Sequence, residues 1–188
     1  MEKIIRYGCM GLFIVAAIIA SVFLPRRELR TIAQVSGIAI DKKDDLMSIT
    51  FELFEPSMEQ PYGKERTTVN SAGKTIEECI KNASLSIGKE LYVDDAAVLI
   101  IGDKDIDAIL KEVKRYYKEY ELDHMDLPLI RAKNQMAAEI FKGKGKILST
   151  EIAESMHIMG KRTTIKDLLN GVEPDIFIKG EGKYEIIS

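Results

Sequence analysis

The sequence predicts an α/β (or α+β) domain, a mixed β-sheet that starts with an antiparallel hairpin and has helices packed on it, preceded by one N-terminal membrane helix. Three observations lead there. Met47, Ile49, Phe51 and Leu53 alternate with Ser48, Thr50, Glu52 and Phe54, the period of two of a strand that buries one face. Two later stretches repeat apolar residues at helical spacing: Ile76, Cys79, Ile80, Ala83 and Ile87, then Ile106, Ile109, Leu110, Val113, Tyr117 and Tyr120. Residues 7–24 form an uncharged run rich in Ile, Val, Ala and Phe, about the length a helix needs to cross a bilayer.

Of the 188 residues, those after the apolar run suit one domain with its own core, so the chain divides into 1–24, a membrane anchor or signal segment, and 25–188, a single domain. Lys3, Arg6 and Glu2 fall in the first segment; taking them from the 27 basic and 30 acidic residues leaves 25 and 29, which argues against a nucleic-acid surface. Cys9 lies in the apolar segment and Cys79 in a helical stripe, so no disulfide framework is indicated.

In chain order, Lys3 and Arg6 precede the apolar run, as in a signal peptide or a signal anchor. The small residues Ala20 and Ser21 are followed by Val22, Phe23, Leu24 and Pro25, a poor cleavage site that favours retention. Arg26, Arg27 and Arg30 rival Lys3 and Arg6 as topogenic charges, so orientation is not read from charge. Residues 32–40 read as the first strand and 41–45, all charged, as a hairpin loop before the alternating strand. A proline-containing loop over 56–64 leads to a short third strand at 66–70.

Thr75-Ile76-Glu77-Glu78 has capping-box spacing and opens a helix that runs to about Gly88. Asp94 and Asp95 read as a solvated turn before residues 96–101, a continuous apolar run fit for a strand buried on both sides. Asp103 is placed as the cap of the longest helix, and 127–132 as a strand whose Pro128 marks its start or an edge. Shorter helices are expected over 135–141, 149–160 and 165–169, the last capped by Thr164 with Asp167. Residues 176–178 and 184–187 pair through Gly180 and Gly182 as a closing hairpin.

The motifs mostly reduce to structure. Gly73-Lys74-Thr75 lacks the glycine a phosphate-binding loop needs five places earlier, where Thr68 stands, so a turn entering a capped helix is the better reading and no nucleotide or other cofactor is expected. Asp103, Asp105 and Asp107 start like a calcium loop, but Ala108 and Lys114 occupy its glycine and bidentate-glutamate positions. His124 and His157 have no companion at metal or triad spacing, and no nucleophile elbow is present; no catalytic or metal-binding residue is assigned and the chain is read as not an enzyme. Tyr116, Tyr117 and Tyr120 are placed in core packing, Lys142, Lys144 and Lys146 in a solvated loop that is also a candidate for anionic headgroups, and the sequon at Asn82 inside a helix.

Arg26-Arg27-Glu28-Leu29, then Val35-Ser36-Gly37-Ile38-Ala39-Ile40-Asp41, Ser71-Ala72-Gly73-Lys74-Thr75-Ile76 and Val98-Leu99-Ile100-Ile101-Gly102, resemble in order the start of the mature domain in the Ger(x)C family, the C subunits of spore nutrient-germinant receptors. The resemblance implies a non-catalytic, membrane-anchored receptor component facing out of the cytoplasm at the spore inner membrane, with integral membrane receptor subunits as partners. Family members carry a lipidated cysteine just before the Arg-Arg-Glu-Leu segment; here Val22, Phe23, Leu24 and Pro25 stand there, so lipidation is not expected and a protein anchor replaces it. The collar Arg26, Arg27, Glu28 and Arg30 is the candidate contact with partner or membrane. The family runs on into further domains, so a truncated paralogue, a fragment or a regulator is expected. A structural or regulatory spore-envelope protein and an anchored envelope enzyme are the alternatives.

Overall fold

The computed structural model describes residues 31–56, 64–119, 125–142, 148–160, 162–179 and 184–187. The chain divides into two units, Met1–Thr31 and Ile32–Ser188, and the fold is that of the second. The proposed membrane segment 7–24, the collar, the turn at 180–183 and most of the 56–64 loop lie outside the described residues.

The first hairpin is β1 (Ile32–Lys43) and β2 (Leu46–Pro56), antiparallel as expected, with β3 (Lys64–Gly73) antiparallel on the far side of β2. The charged segment 41–45 is not the loop its composition indicated. Pairing continues to Lys43 opposite Leu46, and the turn is Asp44-Asp45 alone, with Asp44 at φ 56°. Asp41 is thereby a buried strand residue. The third strand is also longer than 66–70 and takes in Ser71, Ala72 and Gly73.

Helix α1 (Ile76–Ile87) follows, with Thr75 accepting from the Glu78 amide at 3.3 Å. The reciprocal half of the box is displaced by one residue: Glu78 accepts from the Lys74 amide, at 2.7 Å. The helix ends at Gly88, whose φ of 66° is the left-handed C-cap that a side chain disfavours. Two short strands come next, β4 (Glu90–Tyr92), unforeseen because three residues carry no periodicity, and β5 (Leu99–Gly102). Helix α2 (Ile106–Glu119), strand β6 (Leu129–Ala132), helices α3 (Ala137–Ile140), α4 (Leu148–Ile158) and α5 (Ile165–Leu169), and the hairpin β7 (Asp175–Lys179) with β8 (Tyr184–Ile187) complete the order. The capping box at Thr164 and Asp167 is present in full.

The eight strands among the described residues join one mixed sheet, seven of them in the order β3-β2-β1-β5-β6-β7-β8 and β4 beside β1. Strand β1 is its pivot: antiparallel to β2 on one side, and on the other parallel to β4 along Ile32–Gln34 and to β5 along Ile38–Ile40. Strands β5, β6 and β7 continue in parallel, and β8 returns antiparallel. Pro128 sits just before β6, bridged to Thr164, so it spoils no ladder bond.

Strands β1, β5 and β6 bury both faces, whereas β4 buries Leu91 alone. Ile38, Ile40, Leu99, Ile101 and Leu129 belong to one core with α1, α2 and α5; Ala39, Ile100, Ile130, Ala132 and Phe177 belong to the other with α3 and α4. The alternating set of β2 lies wholly in the first core. Tyr116 and Tyr117 are buried there too, edge to face at 5.3 Å, while Tyr120 lies outside the described residues. Across the top of this layer Arg115 ties α2 to α1: its Nη2 donates to both Glu77 oxygens at 2.7 Å and to Glu112, which also accepts from the Ile76 amide at 3.1 Å.

Candidate functional site

The buried charges come first, because an enzyme would keep its acids and bases there. Glu52 projects from β2 into the second layer with no exposed surface, and its two carboxylate oxygens accept from the amides of Leu148 at 3.1 Å and Ser149 at 3.0 Å, the first residues of α4. Ser36, the extra residue of a β-bulge between Val35 and Gly37, donates its hydroxyl to the Glu52 carbonyl at 3.0 Å. Asp41, on the same side of β1, accepts from the amides of Ala137 at 2.7 Å and Ala138 at 2.9 Å, which start α3. Burial pushes the Asp41 carboxyl up and these two amides pull it back, the balance staying upward. Asp175 in β7 accepts from the Thr163 amide at 2.9 Å. The three buried carboxylates among the described residues are thus spent on backbone amides, where negative charge also meets the positive end of a helix in two of the cases.

Two glycines make room for this arrangement. A Cβ on Gly37 would lie 2.5 Å from Ser149 Cβ and 2.8 Å from Phe141 Cζ, and one on Gly102 would overlap the Asp41 carboxylate. Gly37, Asp41 and Gly102 all sit in the stretches that carry the family resemblance, and each turns out to seat the second helical layer. Sequence reasoning missed both acids as packing elements. The available signal was Glu52 inside a strand, paired across the ladder with Gly37, since a strand glycine marks a close approach.

Asp103 is not the cap of α2. Its carboxylate is turned to β6, where the Asn134 amide donates at 3.1 Å and Arg131 Nε at 2.6 Å, contacts that lower its pKa, and a partner 28 residues on cannot be read from local spacing. Among the described residues no group of three His, Cys, Asp or Glu side chains is arranged to hold a metal. Lys74 is exposed at the turn before α1. Asp95 accepts from Gln34 at 2.9 Å. His157 is exposed on the last turn of α4, and the Asn82 amide is spent on the Ala72 carbonyl at 2.8 Å. Cys79 is buried, its thiol pushed up to about 11 by burial. His124 and residues 143–147 lie outside the described residues; Lys142 pairs with Glu139 at 2.8 Å. No helix among the described residues is long and apolar enough to cross a membrane.

Three surface hollows stand out. Two flank α4, of about 590 and 550 Å³, sharing the exposed Ile158. The third, of about 560 Å³, lies at the carboxyl ends of β1, β5 and β6 and is lined by Lys42, Lys43, Lys104 and Gln135 among others. Strand β5 leaves this end toward α2 on one face and β6 toward α3 on the other, the divergence at which open α/β sheets bind ligands.

Fold and interior together define a three-layer α/β domain whose buried polar groups hold helices to a sheet. The chain matches the model of the spore germination protein N-terminal domain over residues 25–175 and belongs to that family. No curated protein and no solved structure matches it.

Proposed function

We propose that the chain is a membrane-tethered, non-catalytic component of a spore nutrient-germinant receptor that acts beside integral membrane receptor subunits. The observation that carries this reading is the family match over residues 25–175. The engagement of Asp41, Glu52 and Asp175 with backbone amides supports the non-catalytic part, since those acids are not free to move protons for a substrate. In this reading residues 1–24 are a retained anchor, 25–188 are one domain outside the cytoplasm at the spore inner membrane, and Arg26, Arg27, Glu28 and Arg30 meet a partner's loops or lipid headgroups. A shared membrane raises the effective concentration of the partners, so a modest interface suffices.

Deleting the gene is expected to alter the rate or nutrient range of germination, and Arg27→Glu with Glu28→Arg to weaken crosslinking to receptor subunits in spore membranes while leaving the domain folded. Wild-type germination on all nutrients together with no crosslinked partner overturns the assignment. Intact mass of the membrane-extracted chain tests the anchor separately: a start near Arg26, or a lipid adduct at Cys9, rules it out.

A further inference from the structure

We propose that the hollow at the carboxyl ends of β1, β5 and β6 binds a small, multiply charged anion of the phosphate class. This goes beyond the receptor reading and does not depend on it. Lys42 and Lys43 end β1, Lys104 follows β5, and all three line the hollow with ammonium groups that make no hydrogen bond or ion pair to any described residue. Two carboxylates share the lining, but Asp41 is engaged by the Ala137 and Ala138 amides and Asp103 by Arg131 and the Asn134 amide. Asp44, Asp45 and Asp105 are close in sequence and do not line it. The hollow therefore offers unpaired ammonium groups in a chain whose net charge is −3.

A second observation is independent of charge. The Nε2 of Gln135, on the loop between β6 and α3, is enclosed and has no acceptor, a donor whose desolvation nothing in the protein offsets. Gln135 lines the hollow, and a turn of its amide would bring that donor to an oxygen of a ligand there. Lysines present point charges, which suit a multiply charged phosphate, and the guanidinium of Arg131, whose planar fork pairs with carboxylate and phosphate alike, is already taken by Asp103. No aromatic side chain lines the hollow, so nothing there stacks on a base, and the ligand is the anion itself, free or as a lipid headgroup.

The test is calorimetric titration of the full chain in phosphatidylcholine nanodiscs with pyrophosphate. Saturable binding is expected, weakened at least tenfold by Lys42→Gln with Lys104→Gln and also by Gln135→Ala, which leaves the charge unchanged. In nanodiscs containing phosphatidic acid, whose headgroup is a phosphate monoester, unchanged pyrophosphate affinity identifies a free anion, and competition identifies the headgroup as its source. Absence of saturable binding, indifference to both variants while circular dichroism stays native, or equal affinity for citrate overturns the proposal.

Discussion

Glu52→Ala asks whether a single buried acid holds the second helical layer. The substitution strips the acceptors from two amides, that of half-buried Leu148 at 3.1 Å and that of fully buried Ser149 at 3.0 Å. Each buried orphan costs about 1–3 kcal/mol, and loss of negative charge at the start of α4 adds roughly 0.3–1 kcal/mol. Against this, the mutant no longer desolvates a carboxylate on folding, which returns part of the loss. A net destabilisation of about 2–4 kcal/mol is expected, or roughly 5–15 °C in Tm for a domain of this size. Glu52→Gln retains one acceptor and should lose about half as much. Urea denaturation followed by circular dichroism gives the total, and hydrogen exchange gives the location: amides of Leu148–Ile158 should lose protection before those of β1 and β2. A loss under about 1 kcal/mol with unchanged exchange in α4 refutes the argument, and means that water replaces the carboxylate at no cost.

Other expectations follow from the same contacts. Gly37→Ala forces its Cβ against Ser149 and Phe141 and should cost about 1–3 kcal/mol, part of it recovered by Ser149→Gly in a double-mutant cycle. Arg115→Met should cost only about 1 kcal/mol, because the guanidinium is 38% exposed, and less in high salt. Arg115 hydrogen bonds hold the Glu112 carboxyl down; at Glu77 burial pushes upward but the same guanidinium outweighs it. Depressed acids stabilise above their unfolded values near 4.5 and lose that contribution as pH falls through the folded ones, so wild type should lose more stability below pH 4.5 than Arg115→Met does. Asp41 runs the other way: its raised carboxyl contributes below its unfolded value and loses that contribution as pH rises through the folded one. Calorimetry with ATP or GTP and magnesium should reveal no binding that Lys74→Ala abolishes, since Thr68 replaces the glycine that a phosphate-binding loop requires.

What the sequence made legible was whatever repeats over a short distance. The alternation Met47, Ile49, Phe51, Leu53 located a strand and its buried face, and the stripes of α1 and α2 located their helices, because burial of one side imposes a period. Thr164 with Asp167 was legible for a similar reason, as a cap is a contact three residues long. Charge misled wherever its partner was distant. Asp41 reads as solvated beside Lys42 and Lys43, yet its amides come 96 and 97 residues later, and Asp103 opens a helix in sequence but serves Arg131 across the sheet. The hollow at the strand ends was equally hidden, being assembled from three loops with no pattern in common. The collar, assigned from composition and resemblance, lies outside the described residues.

The long reach of Asp41 and Glu52 also bears on the order in which the chain folds. Strands β1, β2 and β3 pair locally and meet little loop-closure cost, whereas α3 and α4 arrive nearly a hundred residues later. Until they do, one side of this ribbon shows water Asp41, Thr50 and Glu52 while the other gathers Ile38, Ile40, Ile49 and Phe51. On that order the acids would act early as gatekeepers that keep an unfinished sheet from stacking on its neighbours, and only later become anchorage for helices. Pulse-labelled hydrogen exchange should find β1 and β2 amides protected ahead of those in α4. The same two charges would then serve successively as a guard against aggregation and as a final clasp.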